Sequence, residues 1–343
     1  MSMQSVPTFN HPIPDAAWLS QLEEEVLDPQ LPIIDAHHHL WDRLSDRYLL
    51  DDFLQDTNSG HNIVATIFAQ CAWAYRTSGP EEFRPVGETE FVASVALEAI
   101  QRGLRTHVCE AIVGHVDFRL GFGVDEVLQA HISAGGGRFR GIRQVTARHP
   151  AFLATILIPP PLGLMADPAF RLGVSRLKLF NLSFDGWLYH PQIGEFSNLA
   201  RAFPETSMVL NHVGGPLGIG PYMGKRDEVF RSWLASMQEL GSCPNVSVKL
   251  GGLGMNVCGF AFKDRPSPPN STTLSDAWRP YIESCILIFG ANRCMFESNF
   301  PVDKAQCSYQ VLWNAFKRIA SGASTSERAA LFHDTAARIY RLP

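Results

Sequence analysis

Beginning at Leu31, short apolar runs rich in Val, Ile and Phe alternate with longer stretches of helical period, and this alternation narrows the folds open to the chain more than any other feature. Strands are expected at Ile33–His39, Ile63–Trp73, Ala111–Phe118, Phe139–Thr146, Leu182–His190, Ser207–Val213, Val246–Leu250 and Cys294–Asn299, eight in all. Candidate helices Glu88–Arg102, Val124–Ala134, Pro191–Phe203, Asp227–Leu240 and Leu274–Phe289 fall between them, and Ser326–Tyr340 follows the last. A strand lying parallel to its predecessor needs a long crossover, which a helix supplies, so repeated βα units predict a parallel sheet with helices outside. Eight units predict an α/β fold, the (β/α)8 or TIM barrel. Such barrels run to about 250 residues before insertions, so 343 residues fit one domain. A doubly wound open sheet shares the alternation but usually carries a Gly-rich turn after its first strand; here the first strand ends in histidines.

Residues 1–30 are expected to be an N-terminal extension outside the barrel domain of residues 31–343, with a Pro-rich lead and a short helix that opens near Asp15, closes before Pro29 and packs across one end. Apolar residues make up 45% and charged residues 18% of the chain, the balance of a globular protein with a large core. A net charge of −5 without a Lys/Arg run offers no footprint for nucleic acid. No apolar stretch reaches the roughly 20 residues of a membrane span, and the first residues lack the pattern of a secretory signal. Seven Cys without a Cys-x-x-Cys pair suit buried thiols in a reducing cytoplasm. Self-association is left open.

In Asp35-Ala36-His37-His38-His39, strand alternation puts Asp35, His37 and His39 on one face and His38 on the other. Two imidazoles then face the barrel mouth, where neutral His is a common ligand for zinc and similar cations; a buried, hydrogen-bonded pair is the plainer alternative. A second apolar strand ends in Asn211-His212-Val213-Gly214-Gly215, delivering His212 to the same mouth as a third ligand or a general base.

On these residues, and on Met295-Phe296-Glu297-Ser298-Asn299-Phe300-Pro301, the chain resembles the amidohydrolase superfamily, in the amidohydrolase-related branch that includes sugar lactonases and pyrone-dicarboxylate lactonases. The resemblance covers nearly all of residues 31–341. It implies first-strand histidines beside a sixth-strand histidine and an eighth-strand Asp that binds metal, activates water, or both. The chain departs from that pattern, because Asn299 stands at the Asp position and Glu297 at a Gly position. An amide cannot take a proton near neutral pH, so Asn299 can orient substrate or water only. Glu297, about 7 Å deeper along the strand, is either a displaced catalytic carboxylate or a structural partner of Lys249 or an Arg. Losing the Asp weakens the metal site, so His37, His39 and His212 are candidate ligands for a divalent cation such as zinc, and a metal-independent site is the alternative. Some lactonases of the branch are thought to work without metal.

Other strand ends offer substrate contacts. His115 and Asp117 share a face. Of Arg140 and Arg143 only one can point inward, and Arg143, nearer the C-terminal end, is expected to grip a substrate carboxylate or to tie strands together. Trp187 and Tyr189, followed by His190, suit a planar or sugar-like ligand, and Lys249 suits an anionic intermediate or a pairing with Glu297. Asp303 is expected to cap the following helix. The expected activity is hydrolysis of a small lactone, carboxylated or sugar-derived. A decarboxylase and a noncatalytic metabolite-binding barrel are the rivals.

Overall fold

The computed structural model describes residues 12–43, 46–151 and 159–343. Among them, eight parallel strands follow one another around a sheet in sequence order: β1 Pro32–His38, β2 Asn62–Ala69, β3 His107–Gly114, β4 Phe139–Val145, β5 Ser183–Trp187, β6 Met208–Leu210, β7 Val246–Leu250 and β8 Cys294–Phe296. The sheet closes just beyond the end of β8, where the Asn299 N–H donates to the His37 carbonyl and the His39 N–H to the Phe300 carbonyl, each at 2.8 Å. Helices Val86–Gln101, Val124–Ala134, Ile193–Ala202, Arg226–Gly241 and Ser271–Phe289 cover the outside, so the architecture is the (β/α)8 barrel. Several expected strands overrun the observed ones at their C-terminal ends. After β2, Gln70–Trp73 leave the ladder, with Ala72 at φ 61°, to build the rim of the mouth.

Three helices, Leu50–Thr57, Pro168–Val174 and Tyr309–Ile319, go beyond those expected. Tyr309–Ile319 buries one face on the barrel and is capped by Ser308, whose side chain accepts from the Val311 N–H. Asp303 is therefore not the cap; it is buried five residues earlier. The expected last helix is interrupted, running Thr325–Ala329, a π-helical turn Ala330–Asp334, then Thr335–Tyr340.

That last segment closes the barrel floor. Ile34, Ala36, Ala65, Ala111, Val209 and Met295 pack with Ala336 and Tyr340 in a cluster of their own, the alanines leaving room for the Tyr340 ring. Its hydroxyl donates to Asp185 Oδ2 at 2.7 Å, and Lys249 Nζ pairs with the same oxygen at 2.9 Å. Lys249 and Asp185 are both wholly buried, so removing either would strand a charge at a cost of about 3–5 kcal/mol.

Of the described N-terminal residues, 24–28 lie along the outside of Tyr309–Ile319, and Pro12 reaches the C-terminal mouth. Among these described residues, Ala16–Leu19 is the helical stretch, capped by Asp15. Further on, the N–H groups of Glu24 and Leu27 are taken by the side chains of Gln310 and Asn314, and Lys317 Nζ donates to the carbonyls of Leu27 and Asp28. Backbone groups engaged in this way cannot also serve a helix of their own. No helix among the described residues is long and apolar enough to cross a membrane.

Candidate active site

The first strand does not alternate simply. Its register slips between Asp35 and His38, so Asp35 leaves the face it was expected to share with His37 and His39. Its Oδ1 accepts the N–H of Ser298 at 2.8 Å and its Oδ2 the hydroxyl of Tyr309 at 3.0 Å. Burial raises Asp35 to about 6. His38 points into the packed outer layer against Phe53 and Thr66. His37 and His39 face inward, Nε2 to Nε2 at 3.2 Å, and His39 Nδ1 donates to the Ala69 carbonyl at 2.8 Å.

His212 joins them with its ring centroid 4.6 Å from that of His37. It follows β6 at φ 55°, a conformation that costs a side-chain-bearing residue about 1–3 kcal/mol and persists only where the surroundings hold it. Glu297 supplies that hold: its Oε1 accepts both the His212 backbone N–H at 3.1 Å and Nδ1–H at 2.7 Å. The approach depends on Gly251 and Gly252 after β7. A Cβ on Gly251 would meet Glu297 Cγ at 2.5 Å, and one on Gly252 the His212 ring at 2.5 Å.

Burial raises Glu297 to about 8, against the pull of Lys249, the His212 N–H and Arg143, and holds His212 well below the usual imidazole range. Burial alone would favour a protonated Glu297, but the two N–H groups that converge on its Oε1, with Lys249 and Arg143 close by, favour a carboxylate facing a neutral imidazole, with one proton between them. That proton belongs on Nδ1, because Oε1 already accepts a backbone N–H and the two nearby cations favour a carboxylate. His212 Nε2 is then left as a lone pair, and His212 is part of the cavity wall.

The cavity at the C-terminal mouth holds about 910 Å³, with His39, Gln70, Arg143, Trp187, His212 and Asn299 among its lining residues, together with Tyr189, His115 and Arg148. Arg143 is only 6% exposed. Its Nε donates to Asn211 Oδ1 at 3.1 Å and an NH group to the Gln70 carbonyl at 2.9 Å. Among the described residues no carboxylate lies within ion-pairing distance of it. A buried guanidinium without a counter-ion, facing a cavity, is poised for an anion or a developing oxyanion. Asn299 sits at φ 55°; its Nδ2 donates to Asp303 Oδ1 at 2.8 Å, and Asp303 Oδ2 accepts the Gly254 N–H at 2.9 Å.

The structure thus brings His39, His212, Asn299, Arg143, His115, Trp187 and Tyr189 to one cavity. His37, Glu297 and Lys249 lie fully buried behind its wall. Lys249 pairs with Asp185, not Glu297. His190 is elsewhere: its Nδ1 accepts the Leu217 N–H at 3.2 Å and its ring meets Tyr222 edge-on, holding the loop after β6. Sequence reasoning passed over Gln70, Asn211 as the holder of Arg143, and Asp303 as the holder of Asn299. Asn211 sits two residues beyond inward-facing Val209 and could have been found by that spacing; Gln70 and Asp303 carry no such signal.

As donors, these residues fit a divalent cation. His37, His212 and Glu297 offer ligand atoms within 4.8 Å of one another, and buried Glu297 Oε2 has no hydrogen-bond partner although it lies 3.1 Å from His37 Nδ1. Two proton arrangements satisfy His37. With its proton on Nδ1, facing Glu297, Nε2 is free to bind an ion. With Nδ1 accepting instead from Lys249 Nζ at 3.3 Å, Nε2–H donates to His39 and the contact needs no ion.

A family model described as amidohydrolase matches residues 34–342, and the chain belongs to the amidohydrolase family. It is 36% identical over 334 residues to the uncharacterized protein y4mH of Sinorhizobium fredii, covering 91% of this chain and 99% of that one. It is 29% identical over 334 residues to an L-fucono-1,5-lactonase of Burkholderia multivorans, covering 90% and 96%. Crystal structures of an amidohydrolase from Burkholderia multivorans, one with bound HEPES and one with bound zinc, superpose with a TM-score of 0.70 at 25% identity, covering 91% of this chain and 99% of that one. The chain is accordingly an amidohydrolase-related enzyme.

Proposed function

We propose that the protein hydrolyses a small lactone, sugar-derived or carboxylated, with His212 as general base. The observation that carries this reading is the 2.7 Å His212–Glu297 pair opening on the same cavity as the unpaired Arg143. A carboxylate on Nδ1 fixes the tautomer in which Nε2 is basic and stabilises the imidazolium once it forms. In the reaction, His212 Nε2 takes a proton from water as the water oxygen attacks the ring carbonyl, and Arg143 holds the negative charge that moves to the carbonyl oxygen. The intermediate then collapses with cleavage of the ring C–O bond. The leaving oxygen takes the proton back from His212, so lactone and water become one hydroxy acid. Trp187 and Tyr189, in the cavity wall, would hold the ring, and His115 would meet its polar groups.

His37, His212 and Glu297, whose ligand atoms converge, are the residues that would hold a divalent cation, with His39 beside them rather than in the set; zinc is one cation that suits imidazole. Bound there, such an ion would supply added polarisation of the substrate carbonyl. His212 Nε2 has one lone pair, so it can be a ligand or a base but not both at once; the carboxylate behind it favours the base. Lys249, paired with Asp185, balances charge beneath the site rather than touching substrate. The buried free thiols support a reducing compartment, the cytoplasm.

The test is a panel of sugar lactones, carboxylated lactones and aromatic acids assayed with and without added divalent metal. Acid release from lactones supports the reading. Carbon dioxide from the aromatic acids would replace it with a decarboxylase, and inertness toward the whole panel would remove it.

A further inference from the structure

We propose that Asp303 is a positioning residue that locks the Asn299 side chain with its nitrogen toward the protein and its oxygen toward the cavity, making Asn299 an acceptor that holds the attacking water. The role given to the water rests on the lactone-hydrolase reading; the orientation of the amide does not.

The side-chain amide of Asn299 has one donating and one accepting end. The donating end is taken by Asp303 Oδ1 at 2.8 Å; burial pushes the Asp303 carboxyl up to about 8, and the N–H groups of Asn299 and Gly254, one on each of its oxygens, oppose that and favour the carboxylate. Asp303 cannot turn away, because its other oxygen holds the Gly254 N–H at 2.9 Å, a Cβ on Gly254 would meet it at 2.8 Å, and its own N–H donates to the Asn299 carbonyl at 3.2 Å. Both residues are 1% exposed, so no water competes for these contacts. Asn299 belongs to the cavity wall and Asp303 does not, which leaves Asn299 Oδ1 as the polar end available to a ligand.

His212 Nε2 and Asn299 Oδ1 are then two acceptors on one cavity. A water lying between them has both hydrogens engaged and a lone pair left for the carbonyl carbon, as a nucleophile requires. One acceptor takes the proton; the other only holds its hydrogen, a task an amide oxygen performs without a change of charge. The same geometry explains why an amide replaces the carboxylate at this position. A carboxylate at 299 would stand at a hydrogen-bond distance from Asp303 Oδ1, where buried like charges do not both ionise; one of the two would take up a proton, and the oxygen facing the cavity would not be fixed as an acceptor in the way an amide oxygen is.

The swap of the two groups is the test. Asp303→Asn can keep the Gly254 contact through its new carbonyl, but its new NH2 must then meet Asn299 and turn that amide around. The expected result is a fall in kcat of about 100-fold with KM changed little. Asn299→Asp alone is expected to fall similarly. Combining them reverses the contact, with the new NH2 at 303 donating to a carboxylate at 299, and returns an acceptor to the cavity; it is expected to recover at least about tenfold over either single variant, which a merely structural role would not do. Wild-type kcat in Asp303→Asn would overturn the proposal, since a neutral donor would then suffice at 303, and so would a double variant no better than the singles. Neutron diffraction from wild-type crystals in D2O reads the orientation without any substrate. Deuterons on the Asn299 atom facing Asp303 support the lock even if no lactone is opened, whereas a deuteron on Asp303 aimed at an Asn299 oxygen overturns it.

Discussion

His37 and His212 are neighbouring imidazoles, buried to the same degree and both pushed well below the usual histidine range by that burial, but their inner nitrogens meet different sets of partners. His212 has a carboxylate on its inner nitrogen at 2.7 Å. His37 has the Lys249 ammonium within 3.3 Å as well as Glu297 Oε2, and Lys249 is the largest charge acting to hold it neutral. Burial alone makes an imidazole inert. A carboxylate behind it restores basicity at the far nitrogen, and a cation behind it removes what is left. On the proposed reading the two rings divide the work, His212 moving a proton and His37 packing behind the wall.

If that division is right, His212→Asn should cost the most, about 10³- to 10⁴-fold in kcat, with the circular dichroism spectrum unchanged; a loss under tenfold would end the comparison. Glu297→Gln keeps the shape but lets His212 take the wrong tautomer, and a fall of roughly 100- to 1000-fold is expected. Near-normal turnover in that variant would mean the carboxylate only packs. His131 extends the contrast to an imidazole whose two ring nitrogens both meet neutral groups. Its Nδ1 meets the Thr89 hydroxyl and its Nε2 the His115 carbonyl, at 2.8 and 2.9 Å, and burial lowers it to about 4.

The folded value lies below the unfolded one of about 6.5, so the unfolded chain binds the extra proton first. The stability owed to neutral His131 is whole above pH 6.5 and is lost as the pH falls toward 4, by up to about 1.4 kcal/mol per pH unit. Urea midpoints of the wild type and His131→Gln, compared from pH 7 to 4, should converge; parallel curves would show that the ring is not held neutral. Chelation should have the smallest effect. If His212 is free to act as base, metal-stripped protein keeps its turnover within a few-fold. A 100-fold loss reversed by zinc would make His212 a ligand and dissolve its distinction from His37.

The barrel was legible because its message is repeated: each strand is an apolar run bounded by breakers, and each helix a longer amphipathic stretch. The convergence of His39, Arg143, His212 and Asn299 was legible for a related reason, since each stands at the C-terminal end of its strand. Partner choice was not. Lys249 could have met Glu297 or Asp185, and strand tilt across the interior, which no local pattern encodes, decides between them. Asp35 was misplaced because a slip in β1 register leaves no mark in Asp35-Ala36-His37. His190 was drawn off by the Leu217 N–H, a contact set by the fold of a distant loop. The Asn299 amide could not be oriented until buried Asp303 was seen beside it.

Tyr340 fills the alanine-lined floor and its hydroxyl reaches the carboxylate that neutralises Lys249. Until that ring is seated, the eight strands enclose a hollow whose ammonium has lost one of its supports and whose alanines face nothing. Seating the plug should therefore be a late event in maturation, and chains stopped just short of it should hold native helix and strand content while water still reaches the underside of the histidines.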